Sequence, residues 1–523
     1  MSDWLKRNEL YTLTDGASRF SINFAGMAFA AADLEKLKPK FAAAAAGIKA
    51  IESGEIKNPD EKRQVTHFTD RAGYLESHLF ESVEAFAEDV RSGAVAGSTG
   101  KRFEAVVVNG IGGSALGPQL MQFAVNGPYW NELGAKNRDN YLKIYFLDNT
   151  DAAGLTDLLA VMDPERTLHL TISKSGGTQE TKNNLIAIEK FYAAKSLDFT
   201  RHAAAITMAG SELDNKARGE KWLRVFEMAE SIGGRTSETS IVGHLPAALT
   251  GVDFRAFLSG AITMDQWTRT ADPLRNPAMM LAAMWYIAGN GKGDRNMVIV
   301  PYADRLILLS RYMQQLVMES LGKELDLDGN KVHQGLNVFG NKGGTDAHAF
   351  IQQLNDGRDD FFVTFIEVLK DAARYEIADG ITMGDYLHGF EAGLSAALRA
   401  KGRQVITIQI AELTEAELGM LIALYERAVA VYAEFIHINA FHQPGVQAYK
   451  LAAKGVLAVR EKLLKAIEKA GTVTGTAAEI AAELGMSADA VEIGSWLDKL
   501  AANDPRFKRC FDDARGLWVY QAR

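Results

Sequence analysis

The 523-residue sequence predicts an α/β protein with two parallel-sheet domains flanked by helices, a helical N-terminal region and a helical C-terminal extension. Short apolar, β-prone runs alternate with helical segments in two series, which is typical of parallel strands joined by crossover helices. Two of these runs break into glycine-rich turns that lead into helices, as at the ligand-binding edge of such sheets. The length also exceeds what one compact core supports.

The domain boundaries are placed where the composition and the periodicity of the sequence change. Residues 1–95 are alanine-rich and helical in pattern, and they contain no glycine-rich strand-to-helix turn. We expect the first sheet domain at 96–288, the second at 289–435, a C-terminal helical arm at 436–470 and an extension at 471–523. Strands are predicted at 105–109, 141–149, 167–173, 202–208, 297–302, 361–368 and 404–410. A ligand is expected at the junction of the two sheet domains.

The extension reads as a helix, a tight turn at Gly485 and a second helix, which resembles a helix-turn-helix. Between Ser487 and Leu500 three acidic residues stand against one lysine. A DNA-reading helix needs a basic face, so a packing or oligomerisation module is the favoured interpretation.

Bulk composition excludes several function classes. The net charge of −9 argues against a nucleic-acid partner. The single cysteine, Cys510, excludes an internal disulfide framework and suits a reducing compartment, and no cysteine or histidine cluster indicates a metal site. The N-terminus has no signal-peptide pattern, and the longest apolar run, Ala278–Ala288, is too short to span a bilayer. We expect a cytoplasmic protein without membrane contact, and a buried helix at that run.

The first glycine-rich turn, GIGGSALG, follows the β-prone run Val106–Val108. Gly110, Gly112 and Ala115 satisfy the dinucleotide pattern G-x-G-x-x-A, but that pattern alone is a weak signal. A nicotinamide site would place an acidic residue about 20 residues further on, at the end of the next strand. The next predicted strand ends near Asp148, nearly twice as far away, so the dinucleotide interpretation weakens.

The second glycine-rich turn, TISKSGGTQETKNN, is crowded with hydroxyl groups. Ser173, Ser175 and Thr178 surround a double glycine where a β-prone run enters a helix, and Lys174 adds positive charge. Backbone N–H groups at a helix N-terminus together with short hydroxyl side chains form an anion site, which favours phosphate. A capped helix start with solvated serines is the alternative.

Four further elements hold candidate residues, and each has an ordinary structural alternative. Arg235 follows two glycines, which suits an oxyanion contact but also a surface turn. Glu319 lies on an apolar-patterned helix, where desolvation could prepare a general base or the carboxylate could be half-exposed. The others are His348 at the end of a glycine-rich loop, and Gln443 and Lys450 around a proline-initiated helix. These could equally be a helix-start histidine and a solvated lysine.

In chain order these motifs are GIGGSxLG, SKxxxTQET, GGR-S, QQxxMESxGK, a glycine loop with histidine, and FxQxGVxxxK. Their order resembles the phosphoglucose isomerase family from about Phe103 to Lys454. The resemblance implies two sugar-isomerase (SIS) domains, no metal or cofactor, and interconversion of glucose 6-phosphate and fructose 6-phosphate in glycolysis and gluconeogenesis. It also implies an obligate homodimer in which the histidine comes from the neighbouring subunit.

The resemblance also implies a role for each candidate residue. Glu319 would move the proton between C1 and C2 of the open-chain sugar, and Arg235 would stabilise the cis-enediolate. His348 and Lys450 would assist ring opening, with Glu180 orienting His348. Phosphate would bind at Ser173, Ser175 and Thr178 with Lys174 and Ser114 nearby, and the sugar at Gly113, Gln315 and Gln443.

The sequence departs from the family pattern at Gly177, Thr236, Leu321 and Pro444, none of which belongs to the acid–base set. These positions bear on the phosphate grip and on the wall of the sugar site. Two alternatives therefore stay open: an isomerase of broader specificity that also accepts mannose 6-phosphate, and a regulator that responds to a sugar phosphate.

Overall fold

The computed structural model of the chain describes residues 3–523. They form two compact units, the first ending at His442 and the second running from Gln443 to Arg523. The helices of the first unit are α1 (Asp3–Leu10), α2 (Ala31–Lys36), α3 (Lys38–Glu52), α4 (His67–Leu75), α5 (His78–Ser92), α6 (Leu116–Asn126), α7 (Ala152–Val161), α8 (Gln179–Ala194), α9 (Glu212–Gly219), α10 (Ile241–Thr250), α11 (Phe254–Trp267), α12 (Pro277–Ala288), α13 (Leu309–Met313), α14 (Ile351–Asp356), α15 (Met383–Ala400) and α16 (Glu415–Ile436).

The strands of the first unit are β1 (Thr12–Thr14), β2 (Ser21–Asn23), β3 (Ala105–Asn109), β4 (Lys143–Leu147), β5 (Thr167–Ile172), β6 (Ala203–Thr207), β7 (Arg224–Glu227), β8 (Asn296–Tyr302), β9 (Lys323–Leu325), β10 (Lys331–Gln334), β11 (Val338–Phe339), β12 (Phe361–Val368), β13 (Glu376–Ala378), β14 (Ile381–Thr382) and β15 (Gln404–Ile410). The second unit contains α17 (Pro444–Ala470), β16 (Val473–Gly475), α18 (Ala477–Glu483), α19 (Ala490–Asn503), β17 (Phe507–Asp512) and β18 (Leu517–Ala522).

The first sheet has the order β4-β3-β5-β6-β7, and all of its neighbouring strands are parallel. The four strands predicted between 105 and 208 are confirmed, whereas β7 was not predicted. Strand β3 is buried on both faces: Val106 and Val108 pack in one core with α5 and α10, and Val107 packs in another with α8 and α9. Helices therefore cover both faces of the sheet, as the continuous apolar runs predict.

The second sheet has the order β1-β2-β15-β12-β8-β11, and the three strands predicted in this half of the chain are its β8, β12 and β15. Strands β15, β12, β8 and β11 are parallel, which confirms the α/β fold class. The hairpin β1–β2 adds to β15 in the antiparallel sense. The N-terminal region contains α1–α5, as predicted, but its two strands were not predicted, because each is only three residues long and shows no detectable alternation.

Two apolar helices lie in the core of the first unit. Helix α12 confirms the buried helix predicted for Ala278–Ala288. Helix α16 is buried along nearly its whole length and packs against α11 and α12. No helix among residues 3–523 combines the length and apolar character needed to cross a membrane.

A network of buried ion pairs ties these helices together. The Arg71 guanidinium on α4 and the Arg427 guanidinium on α16 lie on the two carboxylate oxygens of Asp265 on α11, at 2.6 and 3.0 Å. The side chains of all three residues are 3% exposed or less. The Asp265 carboxylate therefore balances two buried cations.

The second unit corrects the prediction of a helical extension. Helices α18 and α19 are joined by a turn in which Gly485 has φ +69°, as predicted, but β16, β18 and β17 add a three-stranded antiparallel sheet. The alternation along β18 buries Tyr520 and Ala522, and this signal was overlooked. Val459, Leu463 and Ile467 of α17 also pack in the core of this unit, so no boundary lies at residue 470.

Three of the four arginines of the extension pair with carboxylates within the same unit. Arg506 pairs with Asp504, Arg509 with Asp498 and Arg515 with Glu479, each at 2.7 Å. This pairing leaves little of the free positive charge that binding to a phosphate backbone requires.

We expect Asp265→Asn to lower the free energy of unfolding by about 3–5 kcal/mol, because it leaves two buried guanidinium groups without their shared carboxylate. Urea denaturation followed by circular dichroism measures the loss. The matched control is Glu35→Gln, which removes an ion pair with Lys38 whose side chains are both more than 60% exposed, and it should change stability by less than about 1 kcal/mol. Equal midpoints for both variants would contradict the expectation.

Candidate active site

Two loops of the site follow neighbouring strands of the first sheet. Strand β3 leads into a short 3-10 helix at Gly112–Ser114, and β5 leads into the loop Ser173–Thr178. Because β3 and β5 pair in parallel, with Asn109 opposite Thr171, both loops leave the same edge of the sheet. The two glycine-rich turns thus follow adjacent strands, and this edge is where parallel sheets bind ligands.

The hydroxyl-rich loop has the features of an anion site. Ser173 is buried, its Oγ lies 3.5 Å from Thr178 Oγ1, and α8 begins at the next residue after Thr178. Gly176 has φ +69°, and a Cβ there would lie 2.3 Å from the backbone nitrogen of Leu213, so only glycine fits. The first N–H groups of α8 and the hydroxyls therefore converge at one end of the loop, as phosphate recognition requires.

Lys174 contacts protein carbonyls in this structure. Its ammonium donates to the carbonyl oxygens of Glu230 at 2.5 Å and Ile232 at 2.9 Å. Burial, and secondarily the nearby Arg63, lowers the pKa of Lys174 to about 8. These bonds link the hydroxyl-rich loop to the segment that leads into Arg235.

The Arg235 loop follows β7 and packs directly on the first glycine turn. A Cβ on Gly113 would lie 1.8 Å from the carbonyl oxygen of Gly234, so the two backbones touch where only glycine fits. The Ser237 hydroxyl donates to the Gly234 carbonyl at 2.7 Å. Arg235, 6% exposed, also donates to the carbonyl of His442 at 3.1 Å.

Glu319 reaches the same place from the second sheet domain. It ends a π-helical segment, Gln314–Glu319, that follows β8 and α13, and such segments are frequent at functional sites. Its carboxylate lies 3.0 Å from Arg235 Nη1 and accepts a hydrogen bond from Gln315 at 3.1 Å. The site therefore forms at the junction of the two sheet domains.

The ion pair between Glu319 and Arg235 is largely shielded from solvent. The Glu319 side chain is 22% exposed, so one side of the carboxylate can meet a ligand. Burial lowers the pKa of Arg235, and the neighbouring Glu319 carboxylate opposes that shift. A carboxylate base and a guanidinium at hydrogen-bond distance can remove a proton and stabilise the oxyanion that results.

Two basic residues that the sequence reasoning did not select also belong to this region. Arg63 donates to the carbonyls of Ser231 at 3.2 Å and Phe441 at 3.0 Å, and so bridges the Arg235 loop and the end of the first unit. Lys323 donates to the carbonyls of Glu319 and Ser320. Lys323 is the lysine of the QQxxMESxGK motif, which was the available signal; Arg63 had none.

The remaining predicted residues come from several parts of the fold. His348 is exposed at the end of a 3-10 turn, and within residues 3–523 its imidazole has no hydrogen-bond or ion-pair partner. Glu180 lies in the first turn of α8, and Ser114 is half-buried. Gln443 directly precedes α17, and Lys450 is half-buried on that helix, both in the second unit. No group of three metal-ligating side chains occurs among the described residues.

The comparison with known proteins gives the same family as the motifs. The family model described as phosphoglucose isomerase matches residues 32–475. The chain belongs to the phosphoglucose isomerase family. A glucose-6-phosphate isomerase from Geobacter sulfurreducens is 46% identical over 512 residues, covering 95% of each chain. One from Nostoc sp. is 45% identical over 502 residues, covering 94% of this chain and 93% of the relative.

A solved glucose-6-phosphate isomerase from Chlamydia trachomatis has a similar fold. Its TM-score is 0.78 at 26% identity, covering 88% of this chain and 92% of that one. The resemblance seen in the sequence is therefore confirmed, as is the assignment of two sheet domains to this fold. The family model ends at residue 475, so α18, α19 and the hairpin β17–β18 lie beyond it.

We expect Gly113→Ala to lower kcat/KM about 100-fold, because the added methyl group displaces the Gly234 carbonyl and with it Arg235. A steady-state isomerase assay measures the loss. Gly154→Ala on α7, where a Cβ meets no atom within 4 Å, is the control and should keep wild-type kcat/KM. A Gly113→Ala variant within threefold of wild type would show that the close approach does not matter.

Proposed function

We propose that this enzyme interconverts D-glucose 6-phosphate and D-fructose 6-phosphate by moving a proton between C1 and C2 through a cis-enediolate. The observation that carries the proposal is the Glu319 carboxylate held 3.0 Å from Arg235 and supported by Gln315, beside a hydroxyl-rich helix start. The names of the relatives, glucose-6-phosphate isomerase, support the same substrate pair.

The chemistry needs one base, one cation and one anchor. Glu319 takes the proton from C2 of the open-chain aldose and returns it to C1, while the aldehyde oxygen gains and the C2 hydroxyl loses a proton. The transient negative charge on the two oxygens lies against Arg235. The carbon that is oxidised and the carbon that is reduced belong to one molecule, so electrons balance without an external acceptor.

We assign the binding residues from the family motifs that contain them. Ser173, Ser175 and Thr178 with the first turn of α8 hold the phosphate, and Ser114 lies at the adjacent turn. Lys174 acts on the phosphate through the position of the loop, since its ammonium is taken by backbone carbonyls. Gly113, Gln315 and Gln443 contact the sugar.

Ring opening and assembly complete the proposal. His348 and Lys450 transfer protons at the ring and C1 oxygens, and Glu180 orients His348. The exposed, unpartnered His348 of one chain supports a homodimer in which it serves the neighbouring site. The proposed enzyme is cytoplasmic and acts in glycolysis and gluconeogenesis.

We expect Glu319→Gln to lower kcat by about 10²–10⁴, because the amide cannot accept the proton. Formation of glucose 6-phosphate from fructose 6-phosphate, coupled to a dehydrogenase, measures the rate. Glu324→Gln, five residues further on and 58% exposed, is the matched control and should retain wild-type kcat. Near wild-type activity of Glu319→Gln would reject the base, and turnover of mannose 6-phosphate by the wild type would favour the broader specificity.

We expect co-expressed Glu319→Gln and His348→Ala subunits to form mixed dimers with one intact site each. The purified mixed dimer should then have about half of the wild-type activity, although each variant alone is nearly inactive. Differently tagged subunits purified in sequence isolate the mixed dimer for the assay. An inactive mixed dimer would mean that His348 serves its own chain.

A further inference from the structure

Lys323 is a buried cation that is hydrogen-bonded to the backbone of Glu319. It begins β9, its residue is 4% exposed, and its ammonium donates to the carbonyl oxygens of Glu319 and Ser320, both at 2.7 Å. No carboxylate forms an ion pair with it among residues 3–523. Its charge is therefore held by backbone carbonyls at the end of the π-helical segment.

These two hydrogen bonds are made where the helical ladder ends. The last carbonyls of a helix lack donors from the next turn, and here the chain turns away at Gly322 into β9. A cation at this end also interacts favourably with the aligned peptide dipoles. The bond to the Glu319 carbonyl fixes the backbone from which the catalytic side chain projects.

The charged groups that face Lys323 come from three parts of the first unit: Arg235, Glu319 and His442. Burial, with the Arg235 guanidinium adding to the shift and Glu319 opposing it, lowers the pKa of Lys323 to about 7. Burial also lowers the pKa of His442, with Lys323 and Arg235 contributing and Asp60 opposing. Two cations, Lys323 and Arg235, therefore lie near the single carboxylate of Glu319.

We propose that Lys323 is a positioning residue for the isomerisation, which holds Glu319 in its reactive orientation and adds its charge to that of Arg235 when the enediolate forms. The inference rests on the proposed function. Once Glu319 has accepted the proton it is neutral, and Lys323 and Arg235 then face the enediolate without a compensating carboxylate. The contribution of Lys323 is thus greater in the transition state than in the ground state, as a rise in kcat requires.

The direction in which kcat changes with pH follows from the need for Lys323 to be protonated. A protonated Lys323 is the active form, so kcat declines as pH rises through the pKa of Lys323 in the bound complex. Arginine keeps its charge over this whole range. The Lys323→Arg variant should therefore move the alkaline limb of the kcat profile to higher pH, whatever its maximal rate.

The experiment compares kcat and KM for fructose 6-phosphate between pH 6 and 10 in wild type, Lys323→Met and Lys323→Arg. We expect Lys323→Met to lose about 100-fold in kcat with KM within threefold, and Lys323→Arg to shift the alkaline limb upward. Lys331→Met is the control: this lysine lies on the paired strand β10, is 73% exposed and should leave the profile unchanged.

Lys323→Met at wild-type kcat, or an alkaline limb that coincides in wild type and Lys323→Arg, would overturn the inference. If Lys323→Met does not fold, as thermal melting by circular dichroism reveals, the limb of Lys323→Arg alone decides. An inactive wild type, or a fully active Glu319→Gln variant, would instead reject the proposed function itself. The two failures are therefore distinguishable.

Discussion

The Arg71 guanidinium is the buried group on which the geometry of the site depends. It lies on Asp265 of α11 and Glu426 of α16, and it donates through Nε to Thr239 at 3.1 Å. Thr239 belongs to the loop that carries Arg235, so one side chain joins two core helices to the Arg235 loop. Buried ion pairs add little net stability compared with apolar packing. Their value here is geometric, because five fixed donors permit one arrangement of the loop.

Glu238, in the same loop as Arg235, packs closely against Gly117 and Gly243. Its carboxylate oxygen lies where a Cβ on Gly117 would be, at 1.9 Å, and its carbonyl oxygen lies where a Cβ on Gly243 would be, at 2.0 Å. Burial raises the pKa of Glu238 well above the usual value, with Glu426 adding to the shift. Burial therefore disfavours the charged form of the Glu238 carboxyl, which packs between Gly117 and Gly243.

How much of the fold and of the site could be predicted from the sequence depends on two things. One is how deeply each element is buried, and the other is how far apart in the chain the contacting residues lie. Fully buried parallel strands are continuous apolar runs, so seven were located, whereas β1, β2 and the amphipathic β17 and β18 were missed because short or half-exposed strands give weak patterns. Arg235 and Glu319 were each predicted as candidate residues. Their contact could not be predicted, because they are 84 residues apart in the chain and meet only through the packing of the two sheet domains. Lys323 was missed because a lysine that caps carbonyls reads like any surface lysine.

The bonds from Lys174 to the Glu230 and Ile232 carbonyls link the hydroxyl-rich loop mechanically to the Arg235 loop. A phosphate that orders the hydroxyl-rich loop would also brace the guanidinium some sixty residues along the chain. Binding energy from the non-reacting end of the substrate is thereby converted into order at the reacting end. A hexose without its phosphate would therefore forfeit turnover as well as affinity, and the enzyme would discriminate against free sugars at the chemical step.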